Sequence, residues 1–516
     1  MVRSEKGLWR TSLRASSTRL MYLAVIVAFL VAVIVGYFLN NPLGHGRRFI
    51  LRRFLNWFPL GMTYSFLYMG RYNLNVSKNA LGVLMSNGEF GFIFGFGTLV
   101  YALSFLVNGP LVDRIGGKRG ILIAGFGSAA ANIMLGLLTM EVVAGRLHAH
   151  LVALYAGIYG LNMYFQSYGA VSIIKVKAYW FHVRERGVFG AIFGTLISLG
   201  VYFAFDWSQK IIDVTRNIPA VFFIPAAIIA CWTLVDIWAV ANTPEDVGFP
   251  AFDTHDASSG QMHVHLTYLD LLKKVFASPL MLMIAAVELT SGIFRNGISQ
   301  WYFVFANEVK QPGAGFFLHH WGWLLCITGI IGGFAAGIVS DKVFHSRRGP
   351  PAAILCGMVL VLALVMAAAL HSSPVTVGVA GVAIVTCSVG ITSLMSGTAA
   401  TDFGGRKATA TSAGVVDGFA YLGSSIQSFS IGYIANTHNW DWWPLFLVPF
   451  AAIGLTIAIK IWLELPPATR RYIATDVHSR RFGHGASGGY GVWSRGGWHP
   501  ARRRLGLKLV IRRAPP

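Results

Sequence analysis

The sequence predicts an all-α membrane protein of two six-helix halves around a central cavity. Three observations lead there. The chain is 55% hydrophobic and only 12% charged over 516 residues, whereas a soluble chain carries about 25% charged residues. Apolar runs of about 20 residues, the length that crosses a hydrocarbon core, recur along it. These runs fall into two sets of six with a polar stretch between them, the pattern of a parallel repeat.

Residues 1–48 form a basic N-terminal extension with an apolar run at Leu20–Leu39. That run is too long for a signal-peptide core and lacks a small-residue cleavage site. It is expected as a further helix; the other reading is an over-long start to the chain. Arg3, Arg10, Arg14 and Arg19 precede it, and Arg47, Arg48, Arg52 and Arg53 follow it, so loop charge does not orient it. The N-terminal half, 49–240, holds spans at about 53–73, 88–111, 119–140, 150–174, 186–207 and 217–240. A linker rich in Pro, Asp, His, Ser and Gly occupies 241–277. The C-terminal half, 278–465, holds spans at about 278–305, 317–340, 351–371, 375–398, 407–434 and 442–464. The Gly- and Arg-rich tail 466–516 shows no sustained helical period and is expected to be disordered.

The net charge of +21 follows the distribution of the loops. One set holds Arg114, Lys118, Arg119, Lys175, Lys177, Arg184, Arg186, Lys342, Arg347, Arg348, Arg406 and Lys407. The opposite loops are poor in base, so the first set and both ends of the twelve-span core are expected in the cytoplasm. The charge is therefore read as topology, and no nucleic-acid partner is expected. Cys231, Cys326, Cys356 and Cys387 fall in apolar runs without CxxC spacing, so neither a metal site nor a disulfide framework is indicated. No GxxxxGK[ST] loop is present, and no HExxH or GxSxG stands in a plausible context. An enzyme is not expected, nor is any cofactor.

Two arginines carry the functional signal. Arg71 follows the apolar run 54–70, and Arg295 lies within the apolar stretch 279–305. An arginine at mid-bilayer costs roughly 2.5–3.5 kcal/mol on insertion scales and normally faces a polar cavity. One falls in the first span of each half, which points to one central anion site built by both halves. A guanidinium presents a planar fork of donors matched to a phosphate face and keeps its charge. Within the spans, Glu288 shares a face with Arg295, and Asp417 shares one with Tyr421. Each is open to a counter-ion, proton-relay or substrate role. Asp236 and Asp402 lie nearer span ends, where a solvated structural role is expected.

The loop GPLVDRIGGKRG (109–120) has a counterpart in GIVSDKVFHSRRG (337–349). Gly109, Asp113, Arg114, Asp341 and Lys342 are its gating candidates. The glycine is expected to permit close helix approach, the aspartate to pair with cations at facing helix ends. This duplicated loop resembles the signature of the major facilitator superfamily, where it latches and releases the halves.

Within that superfamily the chain resembles the organophosphate:phosphate antiporter family over about 54–465. YSFLYMGRYNLNVS (64–77) resembles the family's first helix, and FRNGISQWYFVFANEVK (294–310) its seventh. NTPEDVGFP (242–250) and GRKATATSAGVVDGFAYLGSSI (405–426) also look like family segments. The resemblance implies substrate contacts at Arg71, Arg295, Tyr64, Tyr68, Tyr421, Asn73 and Trp301, with Asp417 added from its position. Counted without gaps, Tyr72, Phe105, Ile197 and Gly390 stand where the family has lysine, lysine, histidine and tyrosine. The implied activity is exchange of a phosphorylated organic metabolite, of the glycerol phosphate or sugar phosphate class, for inorganic phosphate by alternating access. The implied partners are those two anions and the lipid bilayer, with a monomer in the inner membrane of a bacterium as the setting. Two alternatives stay open: a proton-coupled carrier of another organic anion, and a transporter-like sugar-phosphate receptor.

Overall fold

The computed structural model describes residues 24–39, 41–147, 150–182, 185–250, 273, 276–344, 347–396, 400–463, 492–494 and 497–499. Most of the expected linker, most of the tail and Arg184 lie outside the described residues, as do the side chains of Arg186, Asp402, Arg406 and Lys407. The described part of the extra apolar run is a helix, α1 (Ala24–Leu39). The N-terminal half follows as α2 (Arg47–Leu81), α3 (Asn87–Ile115), α4 (Gly117–Val143), α5 (Leu151–Trp180), α6 (Arg186–Tyr202), α7 (Ser208–Thr215) and α8 (Ala220–Ala239). The C-terminal half comprises α9 (Pro279–Ser299), α10 (Trp301–Val309), the short α11 (Gly315–His319), α12 (Trp321–Lys342), α13 (Gly349–Ala369), α14 (Pro374–Leu394), α15 (Ala400–Thr437) and α16 (Trp442–Leu463). In the separate C-terminal segment, β1 (Val492–Ser494) and β2 (Gly497–His499) pair antiparallel.

Among the described residues, eight helices are long and apolar enough to cross a membrane, counting α9 and α10 as one. The first, fourth, fifth and eleventh spans (α2, α5, α6 with α7, and α15) are not among them. The first, fourth and eleventh carry the buried polar groups of the centre, including Arg71, Gln166 and Gln427. Their ends obey local chemistry. Ser86 and Glu89 form a reciprocal capping box at the start of α3, with bonds of 3.2 and 2.7 Å. Prolines sit in the first turns of α9, α13 and α14, where a missing N–H costs nothing.

The fifth span is interrupted by a π-helical turn, Phe203–Trp207. Such a turn re-aims side chains, and here it carries Asp206 to the start of α12. The carboxylate accepts the Gly322 N–H at 2.9 Å and the Trp323 N–H at 3.0 Å, satisfying two free donors of that helix. The two halves meet along α3 with α15 and α6 with α12. At the first seam the backbones nearly touch: a methyl on Gly91 would stand 2.7 Å from the Gly432 Cα.

Among the described residues, bonds join the halves at the centre and toward the face away from the basic loops. Ser425 donates to the Gly95 carbonyl at 2.8 Å, Asn79 to the Phe303 carbonyl at 3.0 Å, and Asn87 to Glu308 at 3.0 Å. Lys78, almost fully buried, approaches Glu308 to 3.4 Å. On the basic-loop face the ion pairs Asp113–Lys175 and Asp341–Arg348, each 2.7 Å, stay within one half.

Candidate functional site

Arg71 lies in α2 midway through the bundle, wholly buried. Its Nε donates to Gln166 Oε1 of α5 at 2.9 Å and one terminal nitrogen donates to the Tyr421 hydroxyl of α15 at 2.8 Å. The second bond crosses between the halves. The guanidinium carbon sits 4.7 Å from the Tyr68 ring centre and 4.4 Å from that of Tyr101. Among the described residues no partner meets its other terminal nitrogen. A buried cation with an unused donor and no hydrogen-bonded carboxylate is chemically suited to meet an anion.

Arg295 stands on α9 of the other half, half-buried. It shares electrostatic neighbours with Arg71: Tyr68, Tyr72 and Tyr421 appear around both. The two guanidinium groups therefore flank one tyrosine cluster. Tyr72 reaches across to Asn296 of α9 at 3.3 Å. Tyr64 packs edge-on against Tyr68 with ring centres 5.3 Å apart, and Tyr101 lies 4.3 Å from the Tyr421 ring. Phe105 completes this wall, 4.9 Å from Tyr101 and 6.2 Å from Tyr421.

Two carboxylates border the Arg295 side. Asp417 accepts from the Ser396 hydroxyl, and Glu288 accepts from Thr392 at 3.2 Å. Both interact electrostatically with Arg295, and with each other. Glu288 is fully buried, and its second oxygen has no partner among the described residues.

Other sequence candidates lie elsewhere. Asn73 turns away from the tyrosine cluster, donating to Asn132 at 2.9 Å and to the Val221 carbonyl at 3.1 Å. It joins a buried amide chain through Asn132, Asn162 and Ser128 to Gln166, the residue that orients Arg71. Trp301 donates to Gln427 at 3.0 Å and packs against Phe90 and Trp440 toward the face away from the basic loops. Gly390 packs against Leu355 and Ala336, among α12, α13 and α14, so the ungapped count to a site tyrosine does not place it in the cluster. Ile197 is half-buried on α6 in the packing of the N-terminal half.

In the signature loops, Asp113 pairs with Lys175 and Asp341 with Arg348, while Arg114 and Lys342 are exposed. Gly109 corrects an expectation: a methyl there would meet nothing within 4 Å, so it permits no close approach. The tight contact belongs to Gly117, where a methyl would lie 2.9 Å from the Ser172 carbonyl oxygen. Asp236 is also a correction: it is buried rather than solvated, accepting from Thr63 at 2.6 Å. Sequence reasoning passed over Gln166 and Tyr101. Gln166, an amide inside an apolar span, was the available signal; Tyr101 had none beyond its span.

A family model described as Major Facilitator Superfamily matches residues 53–428. The chain belongs to that superfamily. This superfamily member is similar to the glycerol-3-phosphate transporter of Bacillus subtilis (strain 168), 24% identical over 398 residues, covering 73% of this chain and 84% of the relative. It is similar to the probable hexose phosphate transport protein of Chlamydia pneumoniae, 23% identical over 417 residues, covering 77% and 86%. It is similar too to the membrane sensor protein UhpC of Escherichia coli (strain K12), 23% identical over 423 residues, covering 77% and 89%. All three belong to the organophosphate:phosphate antiporter family that the sequence resembles. The chain is thus a multi-pass integral membrane protein of a transporter family, not an enzyme. Arg71, Arg295 and Tyr421 fall inside the matched stretch, whereas α1 falls outside it.

Proposed function

We propose that the protein exchanges a phosphorylated organic metabolite, of the glycerol phosphate or sugar phosphate class, for inorganic phosphate by alternating access. The observation that carries this reading is the pair of arginines, one per half, around a shared set of tyrosines, with a donor of Arg71 unused. A phosphate dianion between the two forks would draw the halves together. An empty site would leave two like charges facing one another, so substrate return favours exchange over unidirectional leak. The names of the relatives support the phosphate-ester class. With the basic loops assigned to the cytoplasm, the bonds at the other face stand on the outward side of the site. The bacterial inner membrane and a monomeric state belong to the same proposal.

Phe105 on the wall of the cluster removes a contact for a polar substrate and favours an apolar or bulkier organic part. The test is counterflow in vesicles preloaded with labelled phosphate and challenged with a panel of phosphate esters. Ester-dependent release of label is expected. Uptake of an ester driven by a pH gradient, with no dependence on internal phosphate, would overturn exchange. A second reading, a sugar-phosphate receptor, is favoured by the similarity to a membrane sensor; ester binding without flux would select it.

A further inference from the structure

The helix that the superfamily model leaves out is anchored to the core, with Ile26 and Tyr37 buried and Leu30, Val33 and Ile34 partly buried against it. The anchor is Tyr37. Its hydroxyl donates to the Ile50 carbonyl at 2.8 Å and accepts from Arg53 Nε at 3.0 Å, while its ring meets Trp57 edge-on at 5.2 Å. From Tyr37 back to Phe29, α1 borders a cavity of about 600 Å³. Its walls are Phe29 and Val33 of α1, Ile192 and Thr195 of α6, and Ile331 and Phe334 of α12. The cavity therefore lies on the seam between the halves, bounded by the N-terminal half, the C-terminal half and the extra helix.

We propose that this cavity binds an acyl chain of an anionic phospholipid whose headgroup rests on Arg47 and Arg48. Water does not suit it. A buried water needs two to four polar partners, and the polar side chains of this lining are Tyr37 and Thr195. The Tyr37 hydroxyl already donates and accepts, and Thr195 has a partner of its own. An unfilled space of this size would forfeit the dispersion contacts of its walls. At membrane depth the apolar molecule at hand is a lipid tail.

Apolar burial alone gives a lipid tail no preference for the site, because the surrounding bilayer is equally apolar. Selectivity must come from the headgroup. The cavity runs beside the early turns of α6 and the late turns of α12, with Ile338 at its rim, on the side of the basic loops. Arg47 and Arg48 open α2 on that side, exposed, about one turn before the Ile50 that binds Tyr37. Basic side chains at the bilayer surface attract anionic headgroups.

The experiment uses the full-length protein in phosphatidylcholine vesicles with trace phosphatidylglycerol carrying a photoactivatable group at the end of one acyl chain. Labelled peptides are mapped by mass spectrometry. Label is expected on the peptides containing Phe29–Tyr37 and Ile330–Ile338, above the level on the lipid-facing Val361 and Leu364 of α13. Gly36→Phe fills the cavity from α1, where an added side chain starts in open space, and Ala335→Phe fills it from α12. Each should lower the cavity label several-fold and leave the α13 label unchanged. Uniform label over the outer surface, or cavity label indifferent to both variants, would overturn the site. Arg47→Gln with Arg48→Gln should lower the label several-fold; no change would overturn the headgroup assignment. None of these readouts depends on what the protein transports.

Discussion

Arg53 and Arg71 stand on the same helix, are both buried, and do opposite things. Arg53 is saturated: its terminal nitrogens donate to both oxygens of Glu185 at 2.8 and 2.9 Å, and Tyr37 and the Trp180 carbonyl take further bonds. Phe181 and Phe49 flank it at 4.7 and 5.5 Å. Arg71 has neutral partners, an aromatic floor and a terminal nitrogen that no described residue meets. The first is a lock between α1, α2 and the loop that starts α6. The second is a charge held without its counter-charge. A buried cation is costly unless paired, which is why the site that omits the pair is the one proposed to receive the anion.

The largest effect expected from this contrast falls on the lock. Glu185→Gln leaves Arg53 buried and uncompensated, which should cost on the order of 3–5 kcal/mol, read as a lower unfolding temperature in detergent. The same pair sets a pH dependence. Burial raises the Glu185 carboxyl, but the Arg53 hydrogen bond and charge outweigh it, and the group ends below the ordinary glutamate range. Its contribution is therefore present above the unfolded-state value and lost as pH falls through the folded one. Wild type should lose stability on acidification in that window, and Glu185→Gln should lose little more.

Next comes Arg71→Lys. An ammonium cannot reproduce the fork, and two charge-assisted bonds of about 1.5 kcal/mol each correspond to about a 100-fold loss of exchange. Its unfolding temperature should fall far less than that of Glu185→Gln; an equal fall would erase the distinction between lock and seat. Arg295→Lys should cost less, about tenfold in phosphate affinity, because Glu288 and Asp417 already offset part of its charge. Unimpaired exchange in both lysine variants would remove the anion seat. The smallest effect is Tyr421→Phe. It deletes the bond from Arg71 across the halves, and one neutral-acceptor bond of about 1 kcal/mol corresponds to about a fivefold weaker affinity.

The central arginines were legible because arginine in an apolar run contradicts its surroundings. Tyr421 was legible through its family segment, and the helices through their apolar length. Asn73, implied by the family segment, bonds to Asn132 and the Val221 carbonyl instead of joining the tyrosines, because two residues along a helix point nearly opposite ways. Trp301, implied by the same resemblance, bonds to Gln427 and packs on Phe90 and Trp440, contacts that its motif does not reveal. Arg53 looked like a flanking loop charge, and its partner Glu185 is too far along the chain for any spacing rule to join them.

The sequence by itself determined the membrane class, the run of apolar helices, the duplicated loops and the two arginines set in apolar stretches. These rest on composition and local period, which the bilayer enforces residue by residue. The tertiary structure alone decided which arginine is ion-paired and which is not, that Gln166 and Tyr101 frame Arg71, and that α1 borders a cavity on the seam. Those outcomes depend on which side chains meet across helices far apart in the chain, and each meeting is settled by packing of the whole bundle.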